Sequence, residues 1–192
     1  MNFLLLCAFA IKAKAFSIIH RQLSTKLSQQ ILTIEQTRQK IRRIAFEIYE
    51  RNFEEEEIIL AGIAGQGFEF ARLLAAELRM ISPMKTTLAE MLFDKENPNK
   101  SDITFRDEFL LTDGKVVIMA DDVLNTGRTL AFALQPFLQH RLKKLQVAVI
   151  VDRNHRLYPV SADYVGYALS TTFNEHVEVV LSREGEEGVY LK

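Results

Sequence analysis

Residues 116–129 read Val116-Val117-Ile118-Met119-Ala120-Asp121-Asp122-Val123-Leu124-Asn125-Thr126-Gly127-Arg128-Thr129. The run opens with five consecutive apolar residues, which is typical of a strand buried inside a parallel sheet. Apolar residues return at Leu130 and predict a helix from Thr129 to about Leu142. The polar residues between strand and helix are therefore predicted to form a loop beyond the carboxyl end of the strand, where ligands of open α/β sheets bind.

This loop offers two kinds of chemistry side by side. Residues 126–129 present successive backbone N–H groups and hydroxyls at a helix N-terminus, which suits a phosphate dianion. Asp121 and Asp122 repel a phosphate, so their natural partners are hydroxyl donors or a hydrated cation. A ribose 5-phosphate satisfies both halves, whereas the plain alternative is a strand–loop–helix connection with a solvated acidic pair.

The run Met119–Thr129 resembles the phosphoribosyl-pyrophosphate (PRPP) motif of type I phosphoribosyltransferases. The resemblance implies an α/β fold of that type, with a mainly parallel central sheet flanked by helices and a small hood. It also implies that Asp121 and Asp122 are catalytic, hold the ribose 2- and 3-hydroxyls, and meet Mg²⁺ indirectly through those hydroxyls or water. The residues that it implies in 5-phosphate binding are Asn125, Thr126, Gly127, Arg128 and Thr129.

A second strand-to-helix turn carries glycines. Ile58–Ile63 is a β-branched, apolar run that predicts another buried strand, and a helix is predicted from Phe68 to Leu78. Glycines between them allow backbone N–H groups to approach an anion closely, although such turns equally often serve tight packing. Because the chain also contains the PRPP motif, we interpret this turn as the pyrophosphate-binding loop. It is formed by Ala64, Gly65, Gln66 and Gly67.

The remaining pattern is that of one α/β domain. Thr33 followed by Gln36 is a capping-box signature and predicts a helix that ends at Arg51 or Asn52. The strand that ends at Val151 places the basic cluster Asp152–Arg156 at the same carboxyl edge of the sheet as the PRPP motif. Pyrophosphate, a dimer partner and solvent are the three alternatives for what this cluster contacts. Further predictions are a strand over 84–93, a turn-rich connector or cover over 94–101, a strand over 145–151, an edge strand over 176–181, and a final turn and short strand over 183–191.

Composition limits the possible functions. With 192 residues, 48% of them hydrophobic and 26% charged, the chain suits one globular domain or a domain with an appendage. Cys7 is the only cysteine, which excludes a disulfide framework and a cysteine-based metal site and predicts a reducing, cytoplasmic location. All 25 acidic residues follow Ile34, whereas four of the 24 basic residues precede it, so the body of the protein is net acidic. This balance argues against nucleic-acid binding.

The first 28 residues differ from the rest of the chain, because residues 1–34 contain basic side chains but no acidic one. We predict that 1–28 is a leader or unstructured extension and that 29–192 is the phosphoribosyltransferase domain. A transit peptide and an ordered accessory segment are the alternatives for the first segment. The apolar stretch from Met1 to Ile11 is too short to span a bilayer, so no membrane association is predicted.

One branch of the family is similar over most of the chain, namely the pyrimidine-operon attenuation regulators that also act as uracil phosphoribosyltransferases. The similarity implies transfer of the phosphoribosyl group of PRPP to uracil, giving UMP and pyrophosphate, in a homodimer with Mg²⁺. It also implies base binding by the ring of Tyr164 and the backbone of Val165, although Tyr164 is alternatively an ordinary half-buried aromatic. The segments that carry the similarity are Val151–Arg156, Ala162–Gly166, Arg43-Ile44-Ala45 and Glu50-Arg51-Asn52.

The sequence departs from that branch in its phosphate loops and in its surface. Gly65-Gln66-Gly67 stands where the branch has Thr-Arg-Gly, so an arginine that would meet pyrophosphate is missing. A second loop reads Phe93-Asp94-Lys95-Glu96 where relatives have Tyr-Arg-Asp-Asp, and it is shorter here. Relatives that bind attenuator RNA have basic residues at Ser161 and Tyr167 and a histidine at Phe46. We therefore predict no RNA partner. The alternatives to an enzyme are a non-catalytic PRPP or nucleotide sensor and an RNA-binding regulator of a pyrimidine operon.

Overall fold

The computed structural model describes residues 29–95, 97, 102–106, 113–172, 175–183 and 185–192. The predicted leader over 1–28 and most of the 96–101 stretch lie outside these residues. The elements in chain order are β1 (Gln29–Thr33), α1 (Ile34–Arg51), β2 (Glu57–Ile63), α2 (Gln66–Ile81), β3 (Lys85–Leu92), β4 (Thr104–Phe105), β5 (Val116–Leu124), α3 (Arg128–Ala133), a 3₁₀-helix (Phe137–Gln139), β6 (Lys144–Asp152), β7 (Tyr164–Ala168), β8 (Val177–Val180) and β9 (Gly188–Leu191).

A six-stranded sheet in the order β4-β3-β2-β5-β6-β7 forms the centre of the fold. Its strand pairs are parallel except for β3 with β4. β5 lies between β2 and β6, with Gly62 opposite Ala120 and Asp121 opposite Val149, so the carboxyl ends of three strands reach one edge. This arrangement confirms the predicted α/β fold with a mainly parallel central sheet.

Apolar layers cover both faces of the sheet. α1 and α2 pack on one face through side chains such as Ile44 and Phe70, whereas α3 and the 3₁₀-helix pack on the other through Leu130 and Phe137. A separate antiparallel sheet in the order β1-β9-β8 adds Val179 to the first layer and corresponds to the predicted hood. Within the described residues, no helix combines the length and the apolar character needed to cross a membrane.

The first helix has the predicted cap. The hydroxyl oxygen of Thr33 accepts a hydrogen bond from the Gln36 amide (3.3 Å), and Gln36 Oε1 accepts one from the Thr33 amide (2.9 Å). These reciprocal bonds give partners to N–H groups that a helix N-terminus otherwise leaves unsatisfied. The helix consequently begins at Ile34 and ends at Arg51, in agreement with the sequence pattern.

Three elements differ from the sequence prediction. The helix predicted to reach about Leu142 ends at Ala133, because Pro136 has no N–H to donate and restricts the residue before it. The chain then continues in the 3₁₀-helix, where the ring of Phe137 packs edge-on against Phe105. The short strands β1 and β4 lack a strong periodic signal and are not predicted by the sequence.

Gly62 sets the distance between β2 and α2. A Cβ at this position would lie 2.5 Å from the Cα of Phe68 and 3.0 Å from the Cβ of Ala71. The first of these carbon–carbon distances is shorter than van der Waals contact allows. We expect Gly62→Ala to lower the free energy of unfolding by about 1–3 kcal/mol, because the helix has to move away from the strand. Denaturant unfolding followed by circular dichroism measures this change, and an unaltered midpoint would contradict the close approach of helix and strand.

Candidate functional site

Asp121 and Asp122 lie at the carboxyl end of β5, and the structure places them on the strand itself rather than on the loop beyond it. The strand continues past them because its last residue, Leu124, still pairs with Asp152 of β6. Asp121 is only 3% exposed, whereas Asp122 is half-buried. The hydrogen-bonded ladder of a central strand therefore fixes the backbone of the acidic pair.

Asp121 is an unusual carboxyl group. Burial, and after it the neighbouring charge of Asp122, raise the pKa of Asp121 to about 8. Its Oδ1 atom accepts no hydrogen bond from the residues that the structure describes. The ammonium group of Lys95 lies 3.7 Å from this oxygen, beyond hydrogen-bonding distance but within reach of Coulombic attraction. A buried acceptor without a donor is complementary to a hydroxyl group of a ligand.

The glycine turn between β2 and α2 packs directly against this carboxyl group. A Cβ on Gly67 would lie 2.9 Å from Asp121 Oδ1 and 3.0 Å from a backbone carbonyl of β5, so only glycine fits. Gly65 has a φ of 89°, which other residues rarely adopt. The amide of Ala64 donates to the carbonyl of Met91 (2.9 Å), so one of the four predicted pyrophosphate donors is already engaged within the protein.

The side chain of Gln66 is engaged by the small sheet. Its Oε1 accepts a hydrogen bond from the Leu181 amide (2.8 Å), and its Nε2 donates to the Ser182 hydroxyl (3.4 Å). The residue that stands in place of the branch's arginine thus ties the glycine turn to the end of β8. The predicted anion donors that remain in this turn are the backbone amides of residues 65–67.

The predicted 5-phosphate residues line one cavity together with Asp121. Gly127 has a φ of 81°, a left-handed conformation that allows successive N–H groups to converge on an anion. The carbonyl of Thr126 accepts hydrogen bonds from the Leu157 and Tyr158 amides, so the chain after β6 supports the loop from outside. The cavity has a volume of about 110 Å³ and is lined by Asp121, Val123, Leu124, Asn125, Thr126, Gly127, Arg128, Thr129 and Leu130.

The structure does not bring Tyr164 to this cavity. Tyr164 is fully buried at the start of β7, where its hydroxyl accepts a hydrogen bond from Asn52 (3.2 Å) and donates one to Gln146 (3.1 Å). Burial also raises the pKa of the Tyr164 hydroxyl. The carbonyl of Val165 accepts a hydrogen bond from Arg43 (2.6 Å). The contacts of Tyr164 contradict base stacking by its ring, because its hydroxyl has both partners inside the protein and the residue belongs to the core. The Val165 carbonyl is already engaged by Arg43.

A second cavity adjoins the phosphate loop and involves residues that the sequence indicates only as a basic cluster. Arg153 is buried and donates to the Thr171 hydroxyl and to the carbonyls of Thr172 and Glu175. Arg156 pairs with Asp152, so contacts within the chain occupy much of the cluster. This cavity has a volume of about 270 Å³ and is lined by Asn125, Thr126, Arg153, Asn154, His155, Arg156 and Leu157.

The acidic pair suits a metal ion that is held indirectly. The described part of the chain contains no group of three or more histidine, cysteine or acidic side chains arranged to hold a metal. Mg²⁺ commonly keeps several waters and binds through one or two carboxylates together with substrate oxygens. Asp121 Oδ1, which lacks a hydrogen-bond donor, fits such a water-mediated or substrate-mediated arrangement with Asp122 beside it.

The sequence matches the family model described as phosphoribosyl transferase domain over residues 28–182. Among curated proteins, it is 35% identical over 162 residues to a protein of Fusobacterium nucleatum, covering 80% of this chain and 92% of that protein. It is 38% identical over 152 residues to a protein of Brevibacillus brevis, covering 76% of this chain and 85% of that protein. Both relatives are named Bifunctional protein PyrR.

Similar solved structures include two purine phosphoribosyltransferases. The hypoxanthine-guanine phosphoribosyltransferase of Bacillus anthracis is 25% identical, with a TM-score of 0.61, and the match covers 76% of this chain and 84% of that one. The hypoxanthine phosphoribosyltransferase of Trypanosoma cruzi is 18% identical, with a TM-score of 0.70 and coverage of 85% and 95%. The second likeness concerns the fold alone.

The buried carboxyl group predicts a pH-dependent stability. Below about pH 4 the folded and unfolded chains both hold the Asp121 proton. Between about pH 4 and pH 8 the unfolded chain releases this proton while the folded chain retains it, so stability falls as pH rises. Asparagine does not ionise, and we therefore expect Asp121→Asn to be more stable than the wild type at pH 8, by on the order of 1–3 kcal/mol, with a smaller difference at pH 5.

Denaturant unfolding in metal-free buffer across this pH range measures the difference for Asp121→Asn. The exposed Asp102 provides a matched control, since Asp102→Asn makes the same chemical change without removing a buried charge. A stability difference for Asp121→Asn that does not vary with pH would contradict the raised pKa.

The position of Tyr164 predicts a structural rather than a base-binding phenotype. Tyr164→Phe leaves the buried polar groups of Asn52 and Gln146 without their hydroxyl partner, so we expect a loss of about 1–2 kcal/mol in the free energy of unfolding. The KM for the nucleobase should stay within about twofold of the wild type. Tyr167→Phe on the same strand is the control. A raised KM for the base without a loss of stability would restore a role in base binding.

Proposed function

The chain belongs to the phosphoribosyltransferase family and is a PRPP-dependent transferase, and we propose that the base to which it transfers the phosphoribosyl group is uracil. The products are then UMP and pyrophosphate. The observation that carries PRPP as the donor is the single cavity shared by Asp121 and the phosphate loop. Uracil is supported by the identity of 35% and 38% to the two proteins named PyrR, which exceeds the 25% identity to the hypoxanthine-guanine phosphoribosyltransferase.

Each half of the ribose 5-phosphate has its own partner in this proposal. The 5-phosphate binds the turn around Gly127, where amides and threonine hydroxyls donate to its oxygens. The ribose 2- and 3-hydroxyls bind Asp121 and Asp122, and one of them donates to Asp121 Oδ1. The same hydroxyl thereby relieves the cost of a buried acceptor, which favours the bound state.

The reaction needs no nucleophile from the protein, because the base nitrogen bonds directly to the anomeric carbon as the bond to pyrophosphate breaks. The proton that this nitrogen carried is released to solvent. The contribution of the chain is therefore to position two substrates and to stabilise developing charge. The amides of residues 65–67 donate to the pyrophosphate from the glycine turn. Asp121 and Asp122 would hold Mg²⁺ through the ribose hydroxyls or water, and the ion when bound neutralises charge on the leaving group.

We further infer that the protein acts as a cytoplasmic homodimer and does not bind attenuator RNA. Two positions at which RNA-binding relatives are basic or carry histidine present aromatic side chains here, since Phe46 is 43% exposed and Tyr167 is half-buried. The guanidinium groups of Arg43 and Arg156 are already bound, to the carbonyls of Val165 and Gly166 and to Asp152 respectively. These two aromatic residues and two engaged guanidinium groups reduce the positive charge that this surface can offer to RNA phosphates.

The proposal is tested by incubating the full chain with PRPP, Mg²⁺ and, separately, uracil, hypoxanthine, guanine, xanthine and adenine. We expect UMP and pyrophosphate from uracil and much slower turnover of the purines. The variant with both Asp121→Asn and Asp122→Asn should lose at least about 100-fold in kcat/KM, because the ribose hydroxyls lose their charged carboxylate acceptors. Liquid chromatography of the nucleotides measures both.

The contrary results are distinct. Preferential formation of a purine monophosphate would overturn uracil while keeping the family reaction. Calorimetric binding of PRPP without turnover of any base would favour the sensor alternative. This alternative is tested because the side chain of the glycine turn, Gln66, carries no charge. Binding of a pyrimidine-leader RNA that weakens steeply with salt would overturn the inference on RNA.

A further inference from the structure

The site of this chain lacks a charged partner for pyrophosphate in the glycine turn. The turn offers the amides of residues 65–67, and its one long side chain, Gln66, is held by Leu181 and Ser182. Pyrophosphate gains negative charge as it leaves, and charge-assisted hydrogen bonds to such an anion are about twice as strong as neutral ones. A cation supplied from another element would therefore complete the site.

Lys95 lies in the position to be that cation. Its Nζ atom is 3.7 Å from Asp121 Oδ1, and the same oxygen lies against Gly67. The ammonium group and the glycine turn therefore both lie close to the same carboxylate oxygen. The side chain is 40% exposed, so its flexible stem can shift toward a ligand without disrupting the apolar core.

The sheet determines this placement. β2 and β3 run parallel, with Ile63 opposite Met91, and the Ala64 amide then donates to the Met91 carbonyl. Gly67 follows Ile63 by four residues and Lys95 follows Met91 by four residues, so the two segments leave the same edge of the sheet side by side. Phe93 packs against the apolar layer between Met91 and Lys95 and anchors the start of the segment.

We propose that Lys95 is the side chain that binds the pyrophosphate group of PRPP, in place of the cation that the glycine turn lacks. This role rests on the proposed function, since it requires PRPP as the substrate. In the unliganded protein the ammonium group lies beside Asp121, and in the complex the ribose hydroxyls take over Asp121 while the ammonium group contacts the pyrophosphate oxygens.

The contrary role for Lys95 is that it serves Asp121 alone, either by stabilising the buried carboxyl group or by blocking the ribose site. A ligand without pyrophosphate separates the two roles. Ribose 5-phosphate has the same 5-phosphate and the same 2- and 3-hydroxyls as PRPP, so a lysine that acts on Asp121 affects both ligands. A lysine that acts on pyrophosphate affects PRPP alone.

The test is calorimetric titration of Lys95→Gln and Lys95→Arg with PRPP and with ribose 5-phosphate in the presence of Mg²⁺, together with steady-state kinetics. We expect Lys95→Gln to weaken PRPP binding about tenfold, to lower kcat/KM by at least as much, and to change ribose 5-phosphate binding by less than about twofold. Lys95→Arg should recover most of the PRPP affinity, because it keeps the positive charge.

Lys115 supplies a matched control at the opposite edge of the sheet. Its side chain is also 40% exposed and also pairs with a carboxylate, Glu57, at 2.7 Å. Lys115→Gln should leave the binding of both ligands unchanged, which shows that the loss of a surface ion pair does not by itself impair the site.

The possible results separate the role of Lys95 from the function on which it rests. Unchanged PRPP binding by Lys95→Gln, equal weakening of both ligands, or tighter binding of PRPP would each overturn the role of Lys95 while leaving the transferase proposal intact. A wild-type protein that binds no PRPP would overturn the proposed function and this role together.

Discussion

The contact between Gly67 and Asp121 is the constraint on which the site depends. Because Gly67 has no Cβ, the start of α2 lies directly on the carboxyl end of β5, and any larger residue would meet Asp121 Oδ1 at 2.9 Å. Gly62 allows a similar approach lower on the same helix, where Phe68 passes over β2. Two positions without side chains therefore set the height of α2 above the sheet, and that height decides whether the glycine turn and the acidic pair act on one ligand.

The same close packing makes the unliganded site costly. Asp121 is buried beside a second carboxylate, and its Oδ1 accepts no hydrogen bond from the described residues. β5 can hold such a group because its ladder with β6, in which Asp121 pairs with Val149, supplies the stability rather than the carboxyl group. Binding of a hydroxyl ligand then satisfies an acceptor that the folded protein leaves open. The unsatisfied acceptor destabilises the unliganded protein, and its hydrogen bond to the ligand strengthens binding.

Sequence predicts the parts of this structure that depend on local pattern. The apolar runs at 58–63 and 116–120 specify buried parallel strands, and the spacing of Thr33 and Gln36 specifies the start of α1. It fails where the outcome depends on distant partners. Tyr164 resembles a base-stacking residue, but Asn52 and Gln146 retain its hydroxyl in the core. The contact of Lys95 with Asp121 joins two elements that no periodicity connects.

The division between PRPP and base explains why fold comparison alone does not identify the base. The acidic pair and the phosphate turns lie on β2, β5 and the turns that follow them, in the sheet that the purine transferases share with this chain. The segment after β6 is organised separately, by the buried Arg153 and its hydrogen bonds to Thr171, Thr172 and Glu175. That segment forms the wall of the larger cavity beside Thr126, outside the strands and turns that carry the acidic pair and the phosphate loops. Similarity of the fold therefore bears on the part of the site that holds PRPP and not on the choice of base.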